Sequence, residues 1–215
     1  LPDLNFNVEK AEPVTFAAAP LLHFKLRITE AEGQNIHAIA LRCQIRIEPA
    51  RRHYEPAEKE RLIDLFGEPS RWGQTLKSLL WTHASVVVPP FTGSTTVDLP
   101  VPCSYDFNLA ASKYFYAMEK EDVALCLMFS GTIFYETPEH SLQVAQIPWD
   151  KESNFRLPVR VWREMMDHYY PNSAWLCLRK DVFDRLAQFK SRQSLTSWES
   201  AIGRLLDEAD EQVPT

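Results

Sequence analysis

Apolar residues take alternate positions in two early segments. Leu22, Phe24, Leu26 and Ile28 alternate with His23, Lys25, Arg27 and Thr29, and Ile39, Leu41, Cys43, Ile45 and Ile47 alternate with Ala40, Arg42, Gln44, Arg46 and Glu48. A period of two marks a strand with one dry face and one wet face. The polar turn from Glu30 to Asn35, around Gly33, separates the two runs, so they predict a long β-hairpin. Helical spacing follows. Pro56 opens the stretch to Phe66, where Leu62, Ile63, Leu65 and Phe66 recur at helical intervals until Gly67, and Trp72, Leu76, Leu79 and Leu80 mark a second helical piece over about 71–81. This is a helical insertion at about 56–81.

Ser85 to Val88 returns to β-branched residues and ends at Pro89 and Pro90. Thr95–Leu99, Tyr105–Tyr116, Val123–Phe134 and Leu142–Ile147 are the strands expected next. Val123 to Phe129 is apolar at every position, as a strand covered on both faces should be, so it is the predicted central strand. Gly131 just beyond it predicts a bulge or a close backbone approach. Pro158 begins a helix with Val161, Trp162, Met165, Met166 and Tyr169 on one face. Asp181 is the expected N-cap of Val182–Lys190, and Thr196 to Glu199 fits the start of a last helix carrying Ile202, Leu205 and Leu206. Strands first and helices last, without βαβ alternation, predict an α+β fold. Its core is an antiparallel β-sheet or β-sandwich on which the inserted and C-terminal helices pack. The expected organisation is one domain over 1–215, β-rich over 1–155 and helical over 158–210.

Composition adds limits. With 45% hydrophobic and 24% charged residues, the 215-residue chain can bury a sizeable core without disulfides or metal. A net charge of −6, with Lys and Arg dispersed except at Arg42, Arg46, Arg51 and Arg52, disfavours nucleic acid as a partner. No apolar run is long enough to span a bilayer, and the Leu-Pro-Asp-Leu-Asn-Phe start lacks a basic n-region and an apolar h-region, so a cytoplasmic protein without membrane insertion is expected. The 4 cysteines, Cys43, Cys103, Cys126 and Cys177, form no C-x-x-C pair and are expected to be free thiols, mostly buried.

The search for chemistry is mostly negative. Only 6 glycines are present, and they leave neither a G-x-G-x-x-G nor a P-loop nor a G-x-S-x-G elbow. No cofactor is predicted. Glu164, Asp167 and His168 form the one cluster with acid–base potential, because a carboxylate one helical turn from an imidazole can hold its tautomer and raise its pKa. The competing account is a solvent-facing pair opposite the Trp162 and Met165 stripe. His168 and Cys103 are the candidates for a metal site gathered from distant segments. Pro89 to Thr96 is a Pro-stiffened loop whose Phe91, Thr92 and Ser94 are candidate interaction residues, unless Phe91 folds back onto the core.

Several blocks are familiar as sequence: Ile39 to Pro49 (IALRCQIRIEP), Leu62 to Gly67 (LIDLFG), Pro90 to Ser94 (PFTGS), Leu99 to Phe107 (LPVPCSYDF), Gln146 to Lys151 (QIPWDK) and Met166 to Leu176 (MDHYYPNSAWL). Together they resemble a bacterial family of unknown function whose genes accompany actinobacterial-type, high-affinity NiFe hydrogenases. The resemblance spans nearly the whole chain. It implies an accessory or assembly role, with hydrogenase subunits or maturation factors as partners, and supplies no catalytic residues. The reading from residues and resemblance together favours a non-enzymatic protein-interaction module, with a homodimer left open. The alternatives are a β-sandwich enclosing a small apolar ligand, and an enzyme or metal carrier with a dispersed site.

Overall fold

In the computed structural model, which describes residues 2–103, 109–137, 139, 141–173 and 176–211, the alternating segments become strands of two antiparallel sheets. The chain runs through β1 (Leu4–Pro13), β2 (Leu21–Glu30) and β3 (Asn35–Ile47), then the short helices α1 (Pro56–Arg61), α2 (Ile63–Phe66) and α3 (Trp72–Thr75). It continues with β4 (Leu79–Val88), β5 (Phe91–Thr92), β6 (Ser94–Pro102), α4 (Leu109–Ala117), β7 (Asp122–Glu136), β8 (Leu142–Gln146) and β9 (Glu152–Pro158). Helices α5 (Val159–Tyr169), α6 (Lys180–Arg192) and α7 (Trp198–Asp210) complete it. The chain divides into two compact units, Leu1–Ser173 and Ala174–Thr215.

One sheet has the order β1-β2-β6 and the other β4-β3-β7-β8, with β5 also on β3 and β9 also on β7. Their inner faces are supplied by the alternating apolar residues. Leu22, Phe24, Leu26 and Ile28 of β2 meet Ile39, Leu41, Ile45 and Ile47 of β3 and Leu125, Leu127 and Phe129 of β7 in one buried cluster. Phe6 stacks on Phe129 with centroids 4.4 Å apart, and Phe24 sits 5.6 Å from Phe155 and 6.3 Å from Trp81. Burying each such side chain contributes roughly 1.5–3 kcal/mol, which makes this interior the main source of stability. α5 closes part of it by turning Val159, Trp162, Met165 and Met166 inward, and its Tyr169 hydroxyl reaches Val14 O (3.0 Å) and Ala17 O (2.9 Å) of the β1–β2 connection.

The strand that is apolar at every position is central: β7 pairs with β3 along one edge and with β9 and β8 along the other. Other expectations change. β2 and β3 do not form a hairpin, because β2 pairs with β1 and β6 while β3 pairs with β4, β5 and β7. The turn after β2 is a crossover between sheets. Buried Glu30 organises it, its carboxylate accepting from the backbone N–H of Asp3 (3.2 Å), Glu32 (3.1 Å) and Gln34 (2.7 Å). A period of two says that one face is dry without saying which strand lies alongside.

The expected strand Tyr105–Tyr116 is instead helix α4 over Leu109–Ala117, with 104–108 outside the described residues. Ala111, Tyr114, Phe115 and Met118 are buried at i, i+3, i+4 and i+7, a helical stripe that the aromatic content disguised. The inserted helical segment is shorter than expected: α3 ends at Thr75, and Leu79, Leu80 and Trp81 begin β4. β1 and β9 were not distinguished in the sequence pattern. α6 starts one residue before Asp181, with Arg179 at its N-cap, while Ser197 caps α7 by accepting from Ser200 N at 3.0 Å. Within the second unit, Phe183 and Trp198 rings lie 5.1 Å apart and Lys190 lies over the Trp198 ring at 5.5 Å.

The insertion is fastened by a buried polar knot. Tyr54 and Tyr114 hydroxyls are 2.7 Å apart, and the Tyr54 hydroxyl also donates to Pro49 O at 2.7 Å. Burial pushes the Tyr114 phenol up to about 12 and raises that of Tyr54 as well. A phenol whose pKa is raised by folding keeps its proton longer in the native state, so native stability falls as pH rises from about 10 through about 12. Spectrophotometric titration of the native protein should show Tyr54 and Tyr114 ionising only together with unfolding. Ionisation of Tyr54 and Tyr114 near the ordinary phenol value of about 10, with the fold intact, would contradict this environment.

Candidate functional site

Where β7 passes Gly131 the sheet is built unusually tightly. Gly131 has φ +140°, and a Cβ added there would lie 2.1 Å from Ala40 O of β3. On the other edge of β7 the partner changes at this level from β9 to β8, and residues 147–151 loop outward opposite 129–131. Phe129 N donates to Lys151 O and Ile147 N to Gly131 O, each at 2.9 Å, so the ladder is pinned on both sides of the loop. Lys151 is further tied to Asp3 at 2.7 Å. The loop carries Trp149 outward with 91% of its surface exposed. Wide bulges at sheet edges re-aim side chains in this way.

The outward face of the larger sheet is apolar at the same end. Residues opposite one another in a ladder share a face, and the registers set Ala38 beside Phe134 and Phe134 beside Val144. The neighbouring row joins Val87, Ala40, Thr132 and Gln146. Val87 is 73% exposed, and Leu142 and Val144 are each 58% exposed. β8, Leu-Gln-Val-Ala-Gln, carries no charge, and among the described residues no strand pairs with its outer edge. An uncharged edge strand with exposed apolar side chains and free backbone groups is a template for another chain.

A groove of about 570 Å³ continues this surface, lined by Leu142 and Glu136 together with Ile36, His37, Phe91 and Thr92. Phe91 is half-buried against the core, paired with Ile36, and Thr92 Oγ1 donates to Asn35 Oδ1 at 2.6 Å. Phe91 and Thr92 are thus brought to the groove, whereas Ser94 begins β6 and pairs with Thr29 in the other sheet. Trp149, Val87 and Val144, exposed apolar side chains, were not singled out in the sequence. A tryptophan between Pro148 and Asp150, in turn-forming company, was the available signal for the first.

Glu164, Asp167 and His168 are all exposed on α5, and among the described residues no hydrogen bond or ion pair joins Glu164 to His168. The His168 ring meets Tyr169 edge-on at 5.2 Å. Cys103 is buried, and its thiol donates to Val101 O at 3.2 Å. Among the described residues no group of three or more His, Cys, Asp or Glu is placed to hold a metal ion. Burial raises the thiol pKa of Cys43 and Cys103, and burial followed by the nearby Glu152 carboxylate raises that of Cys126. Cys177 is exposed. Titration of the native protein with an aromatic disulfide should therefore modify Cys177 rapidly and the other three only on unfolding. Rapid modification of Cys103 would contradict its burial. No helix among the described residues is long and apolar enough to cross a membrane.

Comparison with known proteins gives a family and little else. The model of a family described as "Family of unknown function (DUF6084)" matches residues 1–214. No curated protein matches the chain. A solution structure described as that of "a putative late embryogenesis abundant (LEA) protein" is similar over 74% of this chain and 73% of its own, at 15% identity and a TM-score of 0.31, a likeness that carries no argument.

Proposed function

The chain belongs to the DUF6084 family of unknown function, and from that premise we propose that it is a non-enzymatic protein-interaction module, serving as an accessory or assembly factor. The observation that carries this reading is the free, uncharged edge of β8 with Leu142 and Val144 exposed beside it and Trp149 held out at its end. A partner segment added along β8 gains backbone hydrogen bonds from the strand and apolar contacts from Leu142 and Val144. Trp149 supplies an anchor of the kind that dominates interface energetics. The resemblance of the Ile39–Pro49, Gln146–Lys151 and Met166–Leu176 blocks to a hydrogenase-associated family supports a NiFe hydrogenase subunit or maturation factor as partner. Free Cys43, Cys103, Cys126 and Cys177 support a reducing, cytoplasmic setting.

The test is binding of the full chain to purified hydrogenase subunits and maturation factors, with amide exchange as the map. Backbone amides of 142–146 are expected to gain protection on binding. Trp149→Ala is expected to weaken the complex by about 30-fold or more, the effect of losing roughly 2 kcal/mol at a hot spot. Val144→Lys should weaken it similarly by placing an unpaired charge in the contact. Absence of binding to any of these proteins would remove the hydrogenase assignment. Binding that leaves 142–146 unprotected and ignores both substitutions would remove the β8 surface.

A further inference from the structure

A second concavity lies away from the β8 strip, between the end of α1, the α4–β7 turn and the outward side of α5, with a volume of about 620 Å³. We propose that it binds a small organic anion with an aromatic body, a carboxylate or sulfonate on one or two fused rings. Three observations carry this. The first is charge: Arg61, Lys120 and Arg163 line the cleft against Glu119 and Asp167, leaving a positive balance in a chain whose net charge is −6. Arg61 is committed to Glu119 at 2.5 Å and the Arg163 guanidinium donates to Met118 O. Lys120 has no hydrogen bond or ion pair among the described residues, so its ammonium is available.

The second observation is the aromatic wall. α4 buries Tyr114 and Phe115 completely, yet leaves the next residue, Tyr116, 64% exposed and facing this cleft. Trp162 and Met166 form its floor, both buried. A ring entering here can lie against the exposed Tyr116 side chain, a contact that suits a flat aromatic rather than a bare inorganic anion. The third is size, since small-ligand sites run from roughly 300 to 1,000 Å³. The cleft falls within that range, and its residues, mostly polar or charged, come from segments widely separated in sequence.

The experiment uses the full chain and anilinonaphthalene sulfonate, an aromatic anion whose fluorescence reports binding, with calorimetry for stoichiometry. One saturable site per chain is expected. Tyr116→Ala and Lys120→Glu, both at exposed side chains, should each reduce affinity at least tenfold without shifting the thermal midpoint. Lys77→Glu, the same charge change at an exposed lysine outside the cleft, should leave affinity unchanged. Benzoate should displace the dye and inorganic phosphate should not. The proposal is overturned if no saturable binding occurs, or if Val144→Lys abolishes binding while Tyr116→Ala and Lys120→Glu do not. It is equally overturned if phosphate displaces the dye and benzoate fails. Because the β8 reading is tested by other residues and another readout, either can fail alone.

Discussion

Replacing Gly131 by alanine is expected to remove a large share of the folding stability, so that the variant unfolds at a much lower urea concentration. The added Cβ would stand 2.1 Å from Ala40 O and 3.1 Å from Ala40 C, both backbone atoms of the adjoining strand, with Leu41 Cα at 3.3 Å. No rotamer change relieves such a contact, so β7 and β3 must separate in the middle of the larger sheet. At φ +140° an L-residue is strained even in open space. The combined cost should exceed about 4 kcal/mol, the range reserved for backbone strain and core disruption, in a molecule whose whole stability is on the order of 5–15 kcal/mol. Urea unfolding reads the result. Gly203 supplies the control, since it lies in α7 with nothing within 4 Å of a built Cβ. There Gly→Ala should be neutral or stabilising by up to about 1 kcal/mol. Wild-type stability in Gly131→Ala would mean that the two strands do not approach as described.

The second large effect is expected at Glu58. Its side chain and that of Arg52 are each 2% exposed, and Arg52 Nη2 donates to both carboxylate oxygens at 3.0 Å. Glu58 also accepts from Glu119 N at 3.0 Å and Glu55 N at 3.1 Å, while Arg52 reaches Met118 Sδ at 2.7 Å and lies over the Tyr54 ring at 5.0 Å. The pair therefore joins α1 to the start of the α4–β7 turn. Glu58→Ala would leave the buried guanidinium with the longer Glu121 contact (3.8 Å) in place of a close carboxylate and strand two backbone donors, a loss of about 3–5 kcal/mol. The double substitution Arg52→Met with Glu58→Leu removes both charges, and it should cost less than Glu58→Ala alone. A double variant as unstable as the single one would show that burial of the unpaired charge is not the cause.

The sequence carried the identity of the central strand because Val123 to Phe129 is uninterrupted. It carried the close approach at Gly131 because a glycine weakens a strand interior unless a neighbouring backbone leaves no space for a side chain. It could not carry strand neighbours. Leu22–Ile28 and Ile39–Ile47 have the same alternation whether they pair with each other or face each other across a core, and only Glu30, turned in to gather three backbone donors, distinguishes the two. α4 was misread because Tyr114, Phe115 and Tyr116 favour strands intrinsically, and packing outweighed that preference. The apolar strip was invisible for a different reason. Val87, Ala40, Phe134 and Val144 are ordinary strand residues, and they become a surface only once three registers are known. The cleft at Lys120 depends in the same way on Arg61, Tyr116 and Arg163 arriving together.

The wide sequence separation between β3 and β7 sets an order of events during synthesis. β1 and β2 can pair as soon as they leave the ribosome, but one edge of Asn35–Ile47 must wait for Leu125–Glu136 before its backbone groups are paired. A growing chain that stops short of Asp122 therefore holds an unpaired edge of Asn35–Ile47 in reach of chaperones and proteases. Ribosome-bound chains of that length should be cut within Asn35–Ile47, and chains extending past Pro158 should be protected there.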